Sequence, residues 1–389
     1  MNRPLLRPVA LLAIGILMLA ACARATPTPQ IVEVTREVEM EVTRVVEVTA
    51  PVPAPEAFEP RTLTAPVGAG LETTTFNAFF PGLLRVRAGD TVTWKLESDE
   101  LHTVSFVQGV PLEQLTFAVP VPGGAQGELM ANPMIAFPTR FPGAPVETYS
   151  GEGFVSSGLM SKQAPAPNVP PNDAFSLTFD TAGTYQYICL VHEEFMVATV
   201  VVEPATAADG PSQDEIDAQA EAEMAPILAD LEVSKQAGGQ AGSAPGPNDT
   251  TLWFVKAGIL DFVTADPRAE SLEFLPKNLT VKSGDTVIWG STGFHTITFD
   301  PVAPPPEFII PEPQQAGPPL LKINPEAAIP ARPAAVYDPT QYYNSGVVGI
   351  FAPDGASWAL TFDQPGTYEY ICIVHRALGM KGTITVEAP

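Results

Sequence analysis

Residues 177–196 read LTFDTAGTYQYICLVHEEFM, and residues 360–380 read LTFDQPGTYEYICIVHRALGM. Each string holds two alternating runs split by a glycine turn. Leu177 and Phe179 precede Gly183 and Tyr185 and Tyr187 follow it; Leu360, Phe362, Tyr368 and Tyr370 repeat the pattern around Gly366. Side chains two apart share one face of a strand, so both strings read as two short strands joined by a turn, each with one buried face. Each string then closes on Cys-x2-His, in a chain of 389 residues with only 3 cysteines and 4 histidines. Chance does not set residues that scarce twice at the end of the same string.

The duplication extends upstream. FFPGLLRVRAGDTVTWKLESDELHTVSF (79–106) aligns with FLPKNLTVKSGDTVIWGSTGFHTITF (274–299), sharing Gly-Asp-Thr-Val-x-Trp and His-Thr-x-x-Phe. The chain therefore holds two copies of one domain, 58–205 and 250–389. Val92, Trp94 and Leu96 alternate toward one strand face, as do Val104 and Phe106, while the AGD, SGD, TAG and QPG triplets supply turns. The expected fold class is all-β: two Greek-key β-sandwiches joined by a linker with a short helix. Trp94, Trp289, Tyr185, Tyr187, Tyr368 and Tyr370 read as core aromatics, and the aspartate of each GDTV as a turn former.

The flanks carry targeting and spacing. Arg3 and Arg7 precede the apolar run LLAIGILMLAAC, which is too short for a comfortable membrane span. Residues 1–22 read as a signal peptide whose Leu-Ala-Ala-Cys ending resembles the bacterial lipoprotein signal, with Cys22 as the lipidated residue. That resemblance implies an extracytoplasmic protein held to the membrane by lipid. Residues 23–57 read as a low-complexity tether, in which EVTR recurs at 33–36 and 41–44. Residues 206–249 read as a linker. Its stretch 212–236 has a capping serine or aspartate, early acidic residues and an apolar stripe of Ile216, Ala220, Met224, Ile227 and Leu231. That stripe is expected to pack between the domains, with Pro226 kinking or splitting the helix.

Every histidine falls at an equivalent place in one copy: His102 and His192, His295 and His375. Cys189 and Cys372 precede the second histidine of each copy, and Met196 and Met380 follow it. One Cys, two His and one Met form the ligand inventory of a blue-copper centre: thiolate and thioether suit Cu(I), and two imidazoles also hold Cu(II). Copper, two ions per chain, is the cofactor these sets imply. Zinc is the next candidate, but methionine in the fourth place suits it less. A Cys189–Cys372 disulfide would leave four histidines and two methionines in register unexplained.

Each copy resembles the plastocyanin-like cupredoxins, small sandwiches with one type 1 copper that carry single electrons. By that resemblance the metal ligands are His102, Cys189, His192 and Met196 in the first copy, and His295, Cys372, His375 and Met380 in the second. The second has the C-x2-H-x4-M spacing of plastocyanin; the first is one residue shorter, which puts the Met196 bond in question. The resemblance also implies that His192 and His375 present an exposed edge as the electron port. Thr103 and Thr296 stand where the family commonly has an amide, and are candidates to hydrogen-bond the thiolate region. The inserts before each cysteine, which share an Asn-Pro start and a Ser-Gly end, are longer than a small plastocyanin needs.

Counting bounds the chemistry. Filling two such sites uses all 4 histidines, so none remains for a catalytic copper of the kind multicopper oxidases and nitrite reductases need. The expectation is an electron carrier and not an enzyme. The alternatives are a copper storage or delivery lipoprotein, or one redox domain with one structural or docking domain. A net charge of −24 repels nucleic acid and favours basic partners, for which a c-type cytochrome or a membrane oxidoreductase is the hypothesis.

Overall fold

The computed structural model describes residues 59–388 apart from 71, 141–143, 164–170, 209, 261–265, 300–303, 332–335 and 350–356. The signal segment, Cys22 and the tether lie outside the described residues. Both copies belong to one compact unit, Ala57–Pro389.

Alternation decides the strands. In Thr91–Leu96 the side chains of Val92, Trp94 and Leu96 are buried, and the same face of Asp285–Gly290 buries Val287 and Trp289. The turn entering each strand is built by the GDTV aspartate. Asp90 accepts from the Arg61 and Arg87 amides, each at 2.9 Å, and from the Arg61 guanidinium at 2.9 Å. Asp285 accepts from the amides of Thr251 (2.8 Å) and Lys282 (2.9 Å) and from the Trp253 indole (2.9 Å). Gly89 and Gly284, which precede them, sit at φ 104° and 95°, where a side chain is strained.

Each copy closes as two facing sheets. In the first, Thr62–Ala69, Thr74–Phe79, Thr91–Leu96 and Ala174–Phe179 oppose Leu83–Arg87, Gly183–Cys189 and Glu193–Glu203. Residues from both sheets form one core around Trp94, whose ring meets Phe106 at 5.7 Å and Tyr187 at 5.3 Å. The second copy repeats this around Trp289, with Phe299 at 5.8 Å and Tyr370 at 5.4 Å. The expected all-β pair of sandwiches is therefore observed.

The copies are also fused, which the linker reading did not anticipate. Edge strands Thr74–Phe79 and Ala269–Leu275 pair antiparallel, so one sheet of each sandwich runs on into the other. Glu270 lies opposite Thr75 in that register. The alignment of Phe79 with Phe274 makes these two residues equivalents, so a pseudo-two-fold axis passes through their pair. Pairing buries two edges that would otherwise present unsatisfied amides and carbonyls.

The helix Gln213–Gly238 seals the seam. Ser212 and Glu215 form a capping box at its start. Ala220, Ile227 and Leu231 pack with Phe76, Ala78 and Phe80 of the first copy and with Ile259 and Ala269 of the second. The helix continues through Pro226 as one element rather than splitting there. Buried contacts on both sides of the proline hold it in register.

The inserts meet as well. Leu129–Ala131 of the first pairs with Leu320–Ile323 of the second, within a four-stranded sheet that both build. Their shared Asn-Pro starts are helix caps: Asn132 and Asn324 accept from the amides of Met134 (3.1 Å) and Glu326 (3.0 Å).

Candidate metal centres

Two strands and one loop assemble each cluster. His102 stands just ahead of the short strand Ser105–Val107, and Cys189 ends the strand Gly183–Cys189. His192 lies in the turn that returns the chain into Glu193–Glu203. The Nδ1 atoms of His102 and His192 approach to 3.1 Å, with Cys189 Sγ 3.9 Å from the first and 3.5 Å from the second. In the second copy His295 and His375 bring their Nδ1 atoms to 3.0 Å, and Cys372 Sγ lies 4.0 and 3.6 Å from them.

These separations fit one ion per cluster. Nitrogen and sulfur donors bind a metal at about 2.0–2.3 Å, and three such donors spread in a plane stand about 3.5–4 Å apart. In both clusters the donor atoms all lie within 4.8 Å of one another. Both sulfurs are fully buried, at 0% exposure, and neither cysteine is in a disulfide. Burial alone would raise the Cys189 thiol, but hydrogen bonds and charge from His102 and His192 hold it well below the ordinary thiol range. Burial opposes ionisation of Cys372 too, and the His375 charge first, then the His295 and His375 hydrogen bonds, bring it well below. Both shifts favour the thiolate, the form that ligates soft metals.

Met196 and Met380 are buried in the same cores as the cysteines. Their loops differ as their spacing does. Met380 follows a 3-10 turn, Arg376–Leu378, ended by Gly379 at φ 90°; its carbonyl accepts from the Cys372 amide at 3.1 Å. In the first copy the turn is tighter, with Glu193 opposite Cys189 and itself at φ 48°.

The threonines do bond the sulfur region, and they do it through the backbone. The backbone amides of Thr103 and Thr296 point at the sulfurs, at 3.3 and 3.4 Å. Their hydroxyls instead accept from the amides of Leu190 (2.7 Å) and Ile373 (2.8 Å), tying the cysteine loop to the histidine strand. The inserts brace that strand from the other side. The Met160 amide donates to the His102 carbonyl at 2.7 Å and the Val348 amide to the His295 carbonyl at 2.8 Å. Ser157 and Ser345, from the shared Ser-Gly ends, accept from the Val104 and Ile297 amides, each at 2.8 Å.

One expectation is overturned. His375 is 4% exposed and presents no free edge. Its Nε2 faces the Glu100 carboxylate of the first copy at 3.4 Å. His295 is closed in the same way by Glu270, Nε2 to Oε1 at 2.9 Å. Burial would lower His375, yet the charges of Glu100 and Cys372 raise it well above the usual imidazole range, whereas burial dominates at His102 and lowers it. His192 is half-buried, and it keeps the more open ring of the two loop histidines. Neither glutamate stood out in the sequence, because each occurs in one copy only.

The family model for copper binding proteins of the plastocyanin/azurin family matches residues 262–387. Plastocyanin of Scenedesmus fuscus is 33% identical over 120 residues, which span 30% of this chain and 89% of that protein. Chloroplastic plastocyanin of Physcomitrium patens is 31% identical over 119 residues, 30% of this chain and 52% of that one. Among solved structures, oxidised plastocyanin of Dryopteris crassirhizoma aligns at 22% identity and a TM-score of 0.20, covering 34% of this chain and 99% of its own. The chain belongs to the plastocyanin/azurin family of copper binding proteins.

Proposed function

We propose that the protein is a blue-copper electron carrier anchored by lipid at Cys22 on the outer face of a bacterial membrane, passing single electrons between redox proteins. His102, Cys189, His192 and Met196 would hold one copper, and His295, Cys372, His375 and Met380 the other. Copper bound there supplies a one-electron couple between Cu(I) and Cu(II).

The observation that carries the reading is the burial of both cysteine sulfurs inside the sandwiches, with amide, hydroxyl and insert contacts fixing the upstream-histidine and cysteine segments. Fixed donors keep their positions when the charge of the site changes, which lowers the reorganisation that opposes electron transfer. A delivery protein needs donors that a receiving partner can reach, and Cys189 and Cys372 are closed to that approach. The half-buried His192 ring is the route for exchange with an outside partner. The net charge of −24 steers basic partners, of which a c-type cytochrome is the model.

The copper-loaded full chain, mixed with a basic c-type cytochrome, should exchange electrons at a rate that falls steeply between low and high salt. It should also keep its copper against a chelator through many turnovers. Ready loss of copper to the chelator without electron exchange would favour delivery instead.

A further inference from the structure

Two carboxylates touch ligand histidines, and both serve the second site although they come from different copies. Glu270 meets His295 at 2.9 Å and Glu100 meets His375 at 3.4 Å. Alignment of the copies pairs Glu270 with Thr75 and Glu100 with Gly293. The two loops confirm the second equivalence, since the Glu100 amide donates to Ser98 Oγ at 2.9 Å and the Gly293 amide to Ser291 Oγ at 3.1 Å.

The exchange of residue types at these two positions sorts the charges. Thr75 ends in a hydroxyl bonded to Ser98 at 3.0 Å, and His102 Nε2 is left buried without a partner. Gly293 leaves the space that the Glu270 carboxylate fills: a Cβ there would stand 2.1 Å from Glu270 Oε1. Among the described residues, no carboxylate lies within ion-pair distance of His102 or His192.

The Nδ1 atoms converge with the cysteine sulfurs, which leaves each Nε2 to its carboxylate: His295 within hydrogen-bond reach of Glu270 at 2.9 Å and His375 in an ion-pair contact with Glu100 at 3.4 Å. Such a bond makes a ligating imidazole more electron-rich. A negative charge beside a buried site also favours the more positive oxidation state. The direct contacts act on the second site alone; the charges also reach the first, Glu100 acting on His102 and His192 and Glu270 on His192, but through space and without contact.

We propose that the chain carries an unequal pair of coppers: Glu100 and Glu270 make the His295–Cys372–His375 centre the lower-potential one, so that it gives its electron to the His102–Cys189–His192 centre. This inference builds on the electron-carrier reading above. One electron moves: copper in the second site goes from Cu(I) to Cu(II) as copper in the first goes from Cu(II) to Cu(I). No bond forms or breaks, and no proton moves. Glu100 and Glu270 are positioning residues that act through the imidazoles. Glu100 also links the centres, because its backbone belongs to the loop that carries His102 and its carboxylate reaches His375.

The test is to reduce the fully oxidised, copper-loaded full chain by one electron per molecule. The EPR signal of the remaining Cu(II) is then assigned with Cys189→Ser and Cys372→Ser. The remaining Cu(II) should sit in the second site by about tenfold or more, about 59 mV for a one-electron couple. Glu100→Gln and Glu270→Gln should each shift that ratio several-fold toward Cu(I) in the second site, moving the potential of the second site further than that of the first. A signal divided equally, or one that belongs to the first site, overturns the proposal; an unchanged ratio in both glutamine variants does so too. If either variant fails to fold, the wild-type distribution decides alone. Copper lacking a thiolate signature in both sites would refute the electron-carrier reading itself, and this inference with it.

Discussion

The Glu100 carboxylate of the first sandwich closes the outer edge of His375 in the second, Oε2 to Nε2 at 3.4 Å. One copy thus completes the site of the other. The same seam carries the Thr75–Glu270 strand pair and the helix Gln213–Gly238. The two sandwiches form one cooperative body with two metal-binding clusters rather than two beads on a linker.

That view predicts a single unfolding transition, and it makes Ile227 a point of shared weakness. Ile227 is buried against residues of both copies. Ile227→Ala should lower stability by about 2–5 kcal/mol through lost contacts and the cavity left behind. Urea unfolding followed separately by tryptophan fluorescence and by the copper bands should show both signals shifting together.

Acid should act through Asp90 and Asp285. Burial alone would raise the Asp90 carboxyl, but the Arg61 side chain and the Arg87 and Arg61 amides hold it below its ordinary value; Asp285 is held low by Trp253 and the Lys282 and Thr251 amides. A carboxyl with a depressed folded pKa stabilises the fold above its unfolded value of about 3.9, and that stabilisation is lost as pH falls through the folded value. Asp285→Asn should therefore be less stable than wild type by about 1.5–3 kcal/mol at pH 7. The gap should narrow as pH falls below the ordinary carboxylate value of about 3.9, as read by denaturant midpoints at pH 7 and in acid.

Glycines crowd the upstream histidines. A Cβ at Gly258 would stand 2.1 Å from His295 Nε2, and one at Gly68 would stand 2.5 Å from His102 Nε2, both at positive φ. Gly258→Ala and Gly68→Ala should each destabilise by about 1–3 kcal/mol and alter the copper spectrum of their own site. Gly109, at φ 80° with nothing within 4 Å of a built Cβ, supplies the control. Gly109→Ala should share the backbone strain and leave both copper signals untouched.

The threonine hydroxyls are predicted to hold the cysteine loops. Thr296→Val keeps the shape but strands the Ile373 amide, which now donates to Thr296 Oγ1 at 2.8 Å. A buried donor without a partner costs about 1–3 kcal/mol. The variant should lose copper to a chelator faster than wild type, while Thr296→Ser should restore retention.

The duplicated Cys-x2-His strings and the Val92–Trp94–Leu96 alternation were legible because they repeat, and repetition separates signal from chance. The fused sheet was not legible. Thr74–Phe79 and Ala269–Leu275 each read as ordinary strands, and nothing in a strand's own period names its neighbour across a domain boundary. Glu100 and Glu270 escaped for the opposite reason. They sit where the copies differ, Thr75 against Glu270 and Glu100 against Gly293, so a search for shared residues passes over them. A comparison of the mismatches flanking each ligand would have found them. The closed edge of His375 follows from Glu100, and it corrects the exposed port that resemblance to a single-domain plastocyanin implied.

Copper content with visible absorption and EPR on the metal-loaded full chain tests the central claim most directly. The account predicts two coppers per chain, each with a strong thiolate-to-copper band and narrow copper hyperfine splitting. Cys189→Ser and Cys372→Ser should each remove about half of the band, with the other half unchanged. Copper bound without that band, or a band that survives loss of both thiolates, would contradict it.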